Sequence, residues 1–296
     1  MLCQTLEAAH VANTEVVPWY TVYAELVEQQ RLLWRQPGIA IAVVEDDRTR
    51  LLQGFGTVAA QPAGQAEPVD ADTVFALASC SKPFAAATIA GLVERGQLDW
   101  DTPVHEHLPE LRLRDRHMQL TLNVRDLLCN RAGLRSSEGR FRSIARDRND
   151  LIRRLGHRDS LHGFRDRYAY QTDMFTIAGA LVSQDGRCSW EQHAERTLWS
   201  PLGMRRSNAD HLASQQAGNW ARPHQHVDGQ PVAIDWHYED GVATPAGGVN
   251  ASAADLARWL AFWNTRGGAL LSADTVAQLV TPQGRSPGPY GGREFS

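Results

Sequence analysis

Residues 73–96 read TVFALASCSKPFAAATIAGLVERG, and this stretch decides the fold prediction for a chain of 296 residues. The apolar, alanine-rich run that ends before a glycine predicts a helix over about 79–95. Pro83 must lie in the first turn of that helix, because its ring clashes with the carbonyl four residues earlier. Ser79 is therefore expected at the helix N-terminus, with Lys82 one turn later on the same face.

Lys82 is the only lysine among 30 basic residues, and all the others are arginine. Arginine serves for any surface charge or ion pair, but its guanidinium stays charged because its pKa exceeds about 12. A lysine amine can give up its proton and activate a hydroxyl, which is otherwise a poor nucleophile. Ser79 and Lys82 together therefore predict a serine nucleophile with an amine as its base.

The segments on either side of this motif predict a mixed α/β protein. Apolar residues recur every three or four positions over 18–35, which predicts an amphipathic helix. β-Rich runs at 38–45 and 50–56, separated by the polar stretch DDRT, predict a hairpin. The pattern over 100–210 is helical, without the alternation typical of strands.

The C-terminal part predicts two more helices. Ser252 and Asp255 have the spacing of a capping box before an apolar stripe, and a second, short helix is expected over 273–280. The final stretch over 281–296 is rich in glycine and proline, so we expect it to lack regular structure.

Composition excludes several classes of protein. The net charge of −4 argues against a general attraction to nucleic acid or anionic membranes. There is no apolar run of 18 residues, so we predict no membrane span. The N-terminus lacks the basic and apolar regions of an export signal, which predicts a cytoplasmic location as written, or a periplasmic or secreted one if the N-terminus is processed.

The cysteines form no CxxC pair and are expected as free thiols: Cys3, Cys80, Cys129 and Cys188.

Two histidine pairs are the only metal-like features of the sequence. His105 with His107, and His224 with His226, would each place two imidazoles on one side of a strand. No acidic or cysteine cluster accompanies either pair. We therefore predict no metal site and no cofactor.

The segment TVFALASCSKPFAAATIAGLVERGQLDWDTPVHEHLPEL (73–111) resembles the nucleophile segment of the serine β-lactamase and penicillin-binding-protein superfamily. The resemblance is closest to the branch of class C β-lactamases, esterases and D-aminopeptidases. Further segments resemble the same family in the family's order: PGIAIAVV (37–44), GFG (54–56), LTLNVRDLLCNRAGL (120–134), LWSPLGM (198–204) and PAGGVNASAADLARW (245–259). The resemblance covers about residues 20 to 282.

This resemblance implies an α/β (α+β) fold of the β-lactamase/transpeptidase type, with an antiparallel sheet flanked by helices. We expect one domain over 1–296, in which 1–76 and 246–296 carry the sheet and 77–245 form an inserted, mainly helical part. The family's third motif, Lys-Thr-Gly or His-x-Gly on a strand at the sheet edge, is not found in this sequence. The chain is therefore expected to be C-terminally incomplete, with its last strands missing.

The resemblance also implies site residues beyond Ser79 and Lys82. The family's Tyr-x-Asn motif matches best at Tyr170, and a shift in register would select Tyr168 instead. Thr172 then stands where the family has asparagine, and its single hydroxyl cannot contact both the lysine and a substrate as an amide can. Trp236 and Tyr238 precede the PAGG segment and are candidates for binding the substrate.

The implied activity is that of a serine hydrolase acting through an acyl-enzyme on an ester, amide or β-lactam carbonyl. Its partner would be a small-molecule or peptide substrate, with no nucleic acid and an oligomeric state that the sequence leaves open. Thr172 and the missing third motif motivate an alternative function. In that alternative, the chain is a non-catalytic or severely impaired scaffold that binds a ligand or partner without turnover.

Overall fold

The structure is a computed structural model that describes residues 18–60, 67–135, 144–184, 187–235, 241–286 and 293–295. Within these residues the α-helices are α1 (Trp19–Leu33), α2 (Lys82–Glu94), α3 (Val104–His107), α4 (Arg116–Thr121), α5 (Val124–Leu128), α6 (Arg148–Leu155), α7 (Thr172–Val182), α8 (Trp190–Ala194), α9 (Ser200–Leu202), α10 (His211–Gln216), α11 (Thr244–Gly247), α12 (Ala253–Asn264) and α13 (Ala273–Val280). The strands are β1 (Gly38–Glu45), β2 (Arg48–Gly56), β3 (Val74–Ala76), β4 (His224–Val227), β5 (Gln230–Ala233), β6 (Asn250–Ser252), β7 (Gly284–Ser286) and β8 (Arg293–Phe295).

The described strands pair two by two, and every pair is antiparallel: β1 with β2, β3 with β6, β4 with β5, and β7 with β8. This confirms the mixed α/β prediction, although the pairing is divided among small sheets. The predicted hairpin is present as β1 and β2, with a tight turn in which Asp46 takes a φ of +55°. Asp is one of the few residues that tolerate this left-handed conformation.

Residues 77–245 are predicted to be mainly helical, and the hairpin of β4 and β5 lies among the helices of this range. One local prediction is corrected by the structure: residues 281–296 are expected to lack regular structure, yet β7 and β8 pair there. β7 and β8 have three residues each, which is too few to show an alternation of apolar and polar residues. Their pairing rests on backbone hydrogen bonds, which require no particular side chains.

The N-terminal helix α1 forms as predicted, but its apolar stripe does not enter the core. None of its residues is buried, and Leu33 remains 71% exposed. Arg31 fixes the end of the helix, because its guanidinium donates to the backbone carbonyls of Gln36 at 2.8 Å and Pro37 at 3.3 Å. The periodicity predicted the helix correctly, but it did not predict that the apolar side chains of α1 stay outside the core.

The core surrounds α2, most of whose residues are buried, and α7, which packs against it. Phe84 of α2 stacks on Trp259 of α12 with ring centroids 4.3 Å apart, and Trp259 stacks in turn on Phe262 at 4.9 Å. Truncating one of these buried aromatic side chains to alanine costs about 3–5 kcal/mol. The stack therefore holds α12 firmly against the helix that follows Ser79.

The short helix α11 is brought against α7 by a glycine. A Cβ at Gly179 would overlap the ring of Pro245, so only glycine permits this approach. The pairing of β3 with β6 draws the same part of the chain toward the start of α2. As a result, residues near positions 79, 170 and 246 meet at one place in the fold.

Candidate active site

Ser79 lies in a tight turn, and this differs from the predicted helical position. Residues Ala78–Ser81 form a 3₁₀ turn, and the α-helix begins only at Lys82. The backbone N–H of Lys82 donates to the carbonyl of Ser79, whereas Pro83 has no N–H that could make the α-helical bond to it. Ser79 and Lys82 nevertheless remain within one turn of each other.

The residue before the serine is held in an unusual conformation. Ala78 has a φ of +47°, in the left-handed region that non-glycine residues rarely adopt. The buried hydroxyl of Ser81 donates to the Ala78 carbonyl at 2.6 Å and accepts from the N–H of Val249 at 2.9 Å. Strained residues of this kind persist only where neighbouring contacts hold them, and they cluster at functional sites.

The side chain of Lys82 is buried, with 7% of the residue exposed, and its amine makes three hydrogen bonds at this site. Nζ donates to Ser79 Oγ at 2.9 Å, to the Tyr170 hydroxyl at 2.7 Å and to the Ala246 carbonyl at 2.8 Å. A neutral amine in the same place would use its lone pair as an acceptor toward one of the two hydroxyls. The geometry therefore suits transfer of a proton between amine, serine and tyrosine.

Tyr170 lies two residues before α7, and its hydroxyl donates to Ser79 Oγ at 2.5 Å. Burial alone would raise the pKa of Tyr170. Its hydrogen bonds with Lys82 and Ser79, and the Lys82 charge, outweigh that effect and hold the pKa below its ordinary value. Burial also raises the pKa of Tyr168, and there it is the dominant effect. Of the two candidates, Tyr170 is the one whose hydroxyl is seen to bond Ser79 and Lys82.

Thr172 and Asp173 form the first turn of α7. The Thr172 side chain is half-buried and forms a hydrogen bond with Tyr170 that favours the ionised phenol. The Asp173 carboxylate is buried and lies 2.5 Å from Arg158, whose guanidinium is equally buried. The acidic side chain is thus held by an arginine at the start of the helix, where a negative charge is favourable.

A group of polar residues behind the site holds α11, the helix that provides the Ala246 carbonyl. Arg148 donates to Glu191 at 2.7 Å, to Thr244 at 3.0 Å and to the Gly241 carbonyl at 3.0 Å. The Thr244 hydroxyl also donates to Glu191. Burial alone would raise the pKa of Glu191, but the Arg148 charge and these hydrogen bonds keep it below its ordinary value.

Sequence reasoning did not assign a role to Ala246. Its contribution comes from the backbone carbonyl, which every residue type possesses, so side-chain identity gives no signal. Trp236 and Tyr238, the other predicted substrate-binding residues, lie outside the described residues.

A cavity of about 600 Å³ opens beside Ser79 and Lys82. Its walls are largely aromatic and aliphatic, with a few polar side chains among them, which is the usual character of a small-molecule site. The lining includes Trp100, Asn130, Phe175, Trp259 and Trp263.

No group of three or more His, Cys, Asp or Glu side chains within the described residues is placed to hold a metal ion. None of the helices in this part of the chain combines the length and apolar character needed to cross a bilayer. Cys80, Cys129 and Cys188 are free thiols.

A mixed α/β fold, with a serine and a lysine one turn apart and a tyrosine at the start of a second helix, defines the class of serine β-lactamases and penicillin-binding proteins. The family model Beta-lactamase matches residues 24–294. The chain therefore belongs to the Beta-lactamase family. Members of this family are serine hydrolases and acyltransferases, and serine-hydrolase chemistry is the general type of function that membership supports.

Comparison with individual proteins gives distant relatives. Unguisins hydrolase ungD from Aspergillus violaceofuscus is 26% identical over 243 residues, which are 77% of this chain and 42% of that relative. The octameric penicillin-binding protein homologue from Pyrococcus abyssi superimposes with a TM-score of 0.80 at 21% identity, covering 95% of this chain and 64% of that one. EstCE1, a hydrolase with promiscuous acyltransferase activity, gives a TM-score of 0.74 at 18% identity, covering 87% and 75%. The two structures share the fold, and the chain spans less than half of the curated relative.

Proposed function

We propose that this protein is a serine hydrolase that acts through an acyl-enzyme on an ester, amide or β-lactam carbonyl. The observation that carries the proposal is the position of Ser79 Oγ, which lies 2.9 Å from Lys82 Nζ and 2.5 Å from the Tyr170 hydroxyl. Two groups that can exchange protons thus adjoin one hydroxyl, as activation of a serine nucleophile requires. Membership of the Beta-lactamase family supports the same chemistry.

In the acylation step, Ser79 gives its hydroxyl proton to the Lys82–Tyr170 pair while Oγ forms a bond to the substrate carbonyl carbon. The carbonyl oxygen becomes an oxyanion, for which we assign the Ser79 N–H as one donor. The bond to the leaving group then breaks, and the pair returns the proton to that group. Ser79 remains esterified by the acyl portion of the substrate.

Deacylation repeats these steps with water. A water molecule gives a proton to the Lys82–Tyr170 pair, and its oxygen attacks the ester carbonyl. Ser79 Oγ leaves and recovers the proton, so that the free enzyme and a carboxylic acid result. The Ala246 carbonyl holds the amine in place through both steps, because it accepts a hydrogen bond and takes up no proton.

Covalent labelling tests the proposal. We expect one adduct in the intact mass after incubation with a fluorophosphonate or a penicillin-type probe, and loss of that adduct in Ser79→Ala. Cys80→Ala is the matched control, because Cys80 is an exposed nucleophile next to Ser79 and should leave the adduct unchanged. An adduct that survives Ser79→Ala contradicts the proposal, and a parent chain that forms none supports the non-catalytic alternative.

A further inference from the structure

Asn130 follows α5 and lines the cavity beside Ser79 and Lys82. Its φ of +50° lies in the left-handed region. Asparagine is one of the few residues other than glycine that occupy this region readily. The residue therefore combines an unusual backbone conformation with a place at the candidate site.

Both oxygen atoms of Asn130 accept hydrogen bonds from the backbone next to Tyr170. Its carbonyl accepts from the N–H of Ala169 at 2.7 Å, and its side-chain Oδ1 accepts from the N–H of Gln171 at 2.9 Å. These two donors belong to the residues immediately before and after Tyr170. One residue thus holds the chain on both sides of the tyrosine.

We propose that Asn130 is a positioning residue that fixes which tyrosine of this segment faces Ser79. This inference rests on the proposed function. Gln171 has an extended backbone, with φ of −140° and ψ of 101°, so the side chains of Tyr170 and Thr172 on either side of it point the same way. A slip by two residues would bring Tyr168 toward the position of Tyr170, and the paired bonds from Asn130 oppose that slip.

The side chain of Gln171, the residue after Tyr170, is also anchored, so the slip by two residues is opposed at a second point. Gln171 is buried, with 3% exposed, and its side-chain amide donates to the Leu134 carbonyl at 2.7 Å. Asn130 and Leu134 belong to one connecting segment, which runs alongside the approach to α7. The asparagine is the member of this segment that contacts both neighbours of the tyrosine.

Asn130→Gly is the informative substitution. Glycine adopts the left-handed conformation freely and keeps the backbone carbonyl bond to Ala169, so that only the side-chain bond to Gln171 is lost. Asn219→Gly is the matched control elsewhere in the fold. Asn219 has a φ of +49°, its carbonyl accepts from the N–H of Val74 at 2.9 Å, and its side chain accepts from Thr73 at 2.7 Å.

A double-mutant cycle with Tyr170→Phe tests the role, using the acylation rate constant and KM for an activated ester. Asn130→Gly should lower the acylation rate about 10- to 100-fold in the parent, with KM changed less than about threefold. In the Tyr170→Phe background the same substitution should change the rate less than about twofold, because the group it positions is already absent. Asn219→Gly should leave the rate within about twofold of the parent value while lowering Tm.

An equal loss of rate in both backgrounds would contradict the proposal, because Asn130 would then act on the fold or on the substrate directly. A parental rate in Asn130→Gly would contradict it as well. If the glycine variant does not fold, Asn130→Ser enters the same cycle, since its hydroxyl is too short to replace the bond to Gln171. Two results distinguish this proposal from the proposed function. If the probe adduct is lost in Ser79→Ala but the effects of Asn130→Gly and Tyr170→Phe are additive, only the positioning role is refuted. If the adduct survives Ser79→Ala, the proposed function is refuted.

Discussion

The amine of Lys82 donates to the backbone carbonyl of Ala246 at 2.8 Å, across 164 residues of sequence. This carbonyl has no proton to exchange, so its effect is to orient the amine. The other bonds of the amine at this site then point toward Ser79 and Tyr170. The chemistry we propose therefore depends on how firmly the chain around Ala246 is held.

Lys82→Arg should abolish acylation as thoroughly as Lys82→Ala. Arginine keeps the positive charge but does not release a proton near neutral pH, and removing a general base typically costs a factor of about 10² or more in rate. The measurement is the rate of adduct formation followed by intact mass, with Tm recorded for both variants. A near-parental rate in Lys82→Arg would mean that the amine acts only through its charge.

Tyr170→Phe and Tyr168→Phe form a matched pair of substitutions. We expect the first to lower the acylation rate by a factor of about 10² or more and the second to leave it nearly unchanged. The lowered pKa of Tyr170 also predicts that the rate rises with pH to a midpoint below that of a free phenol, which is about 10. Tyr170→Phe should remove this rise and Tyr168→Phe should keep it. The opposite pattern would assign the role to Tyr168.

Thr172→Asn should raise acylation by amide substrates more than acylation by simple esters. An asparagine amide can accept from the lysine and donate to a substrate at once, which one hydroxyl cannot do. The measurement compares acylation rates for an amide and an ester that carry the same acyl group. Equal changes for both substrates, or no change, would place Thr172 outside the substrate-binding part of the site.

Glu191→Gln should lower stability in a pH-dependent way. The pKa of Glu191 is lower in the folded protein than in the unfolded chain, so its charge stabilises the fold above about pH 4.5. That contribution is lost as the pH falls through the folded pKa. Near pH 7 we expect a loss of about 1–3 kcal/mol, since Arg148 and Thr244 lose a charged partner.

Thermal unfolding of Glu191→Gln at pH 7 and at pH 3 checks this expectation. The difference in Tm from the parent should be clear at pH 7 and should shrink at pH 3. Glu195→Gln is the control, because Glu195 is exposed on the same segment and should change Tm little at either pH. A difference in Tm for Glu191→Gln that does not depend on pH would show that its charge contributes nothing.

Local patterns in the sequence were enough to predict much of the fold. Helix α2 and the hairpin of β1 and β2 follow from periodicity and turn residues, because these features involve neighbours in sequence. The same patterns did not predict that the apolar stripe of α1 stays exposed or that β7 pairs with β8. Those outcomes depend on which distant surface or strand is available.

Some residues of the candidate site were likewise predictable from local sequence, whereas others were not. The sequence by itself determined the pair Ser79 and Lys82, because their spacing is local and the lysine is unique in the chain. Only the tertiary structure decided that Tyr170 meets this pair and that the Ala246 carbonyl and Asn130 help to form the site. These contacts join residues that lie 39 to 164 positions apart in the sequence, and several of them use backbone atoms that all residues share. A one-dimensional pattern records side-chain identity and local spacing, whereas the path that brings distant backbone atoms together is set by packing in the folded chain.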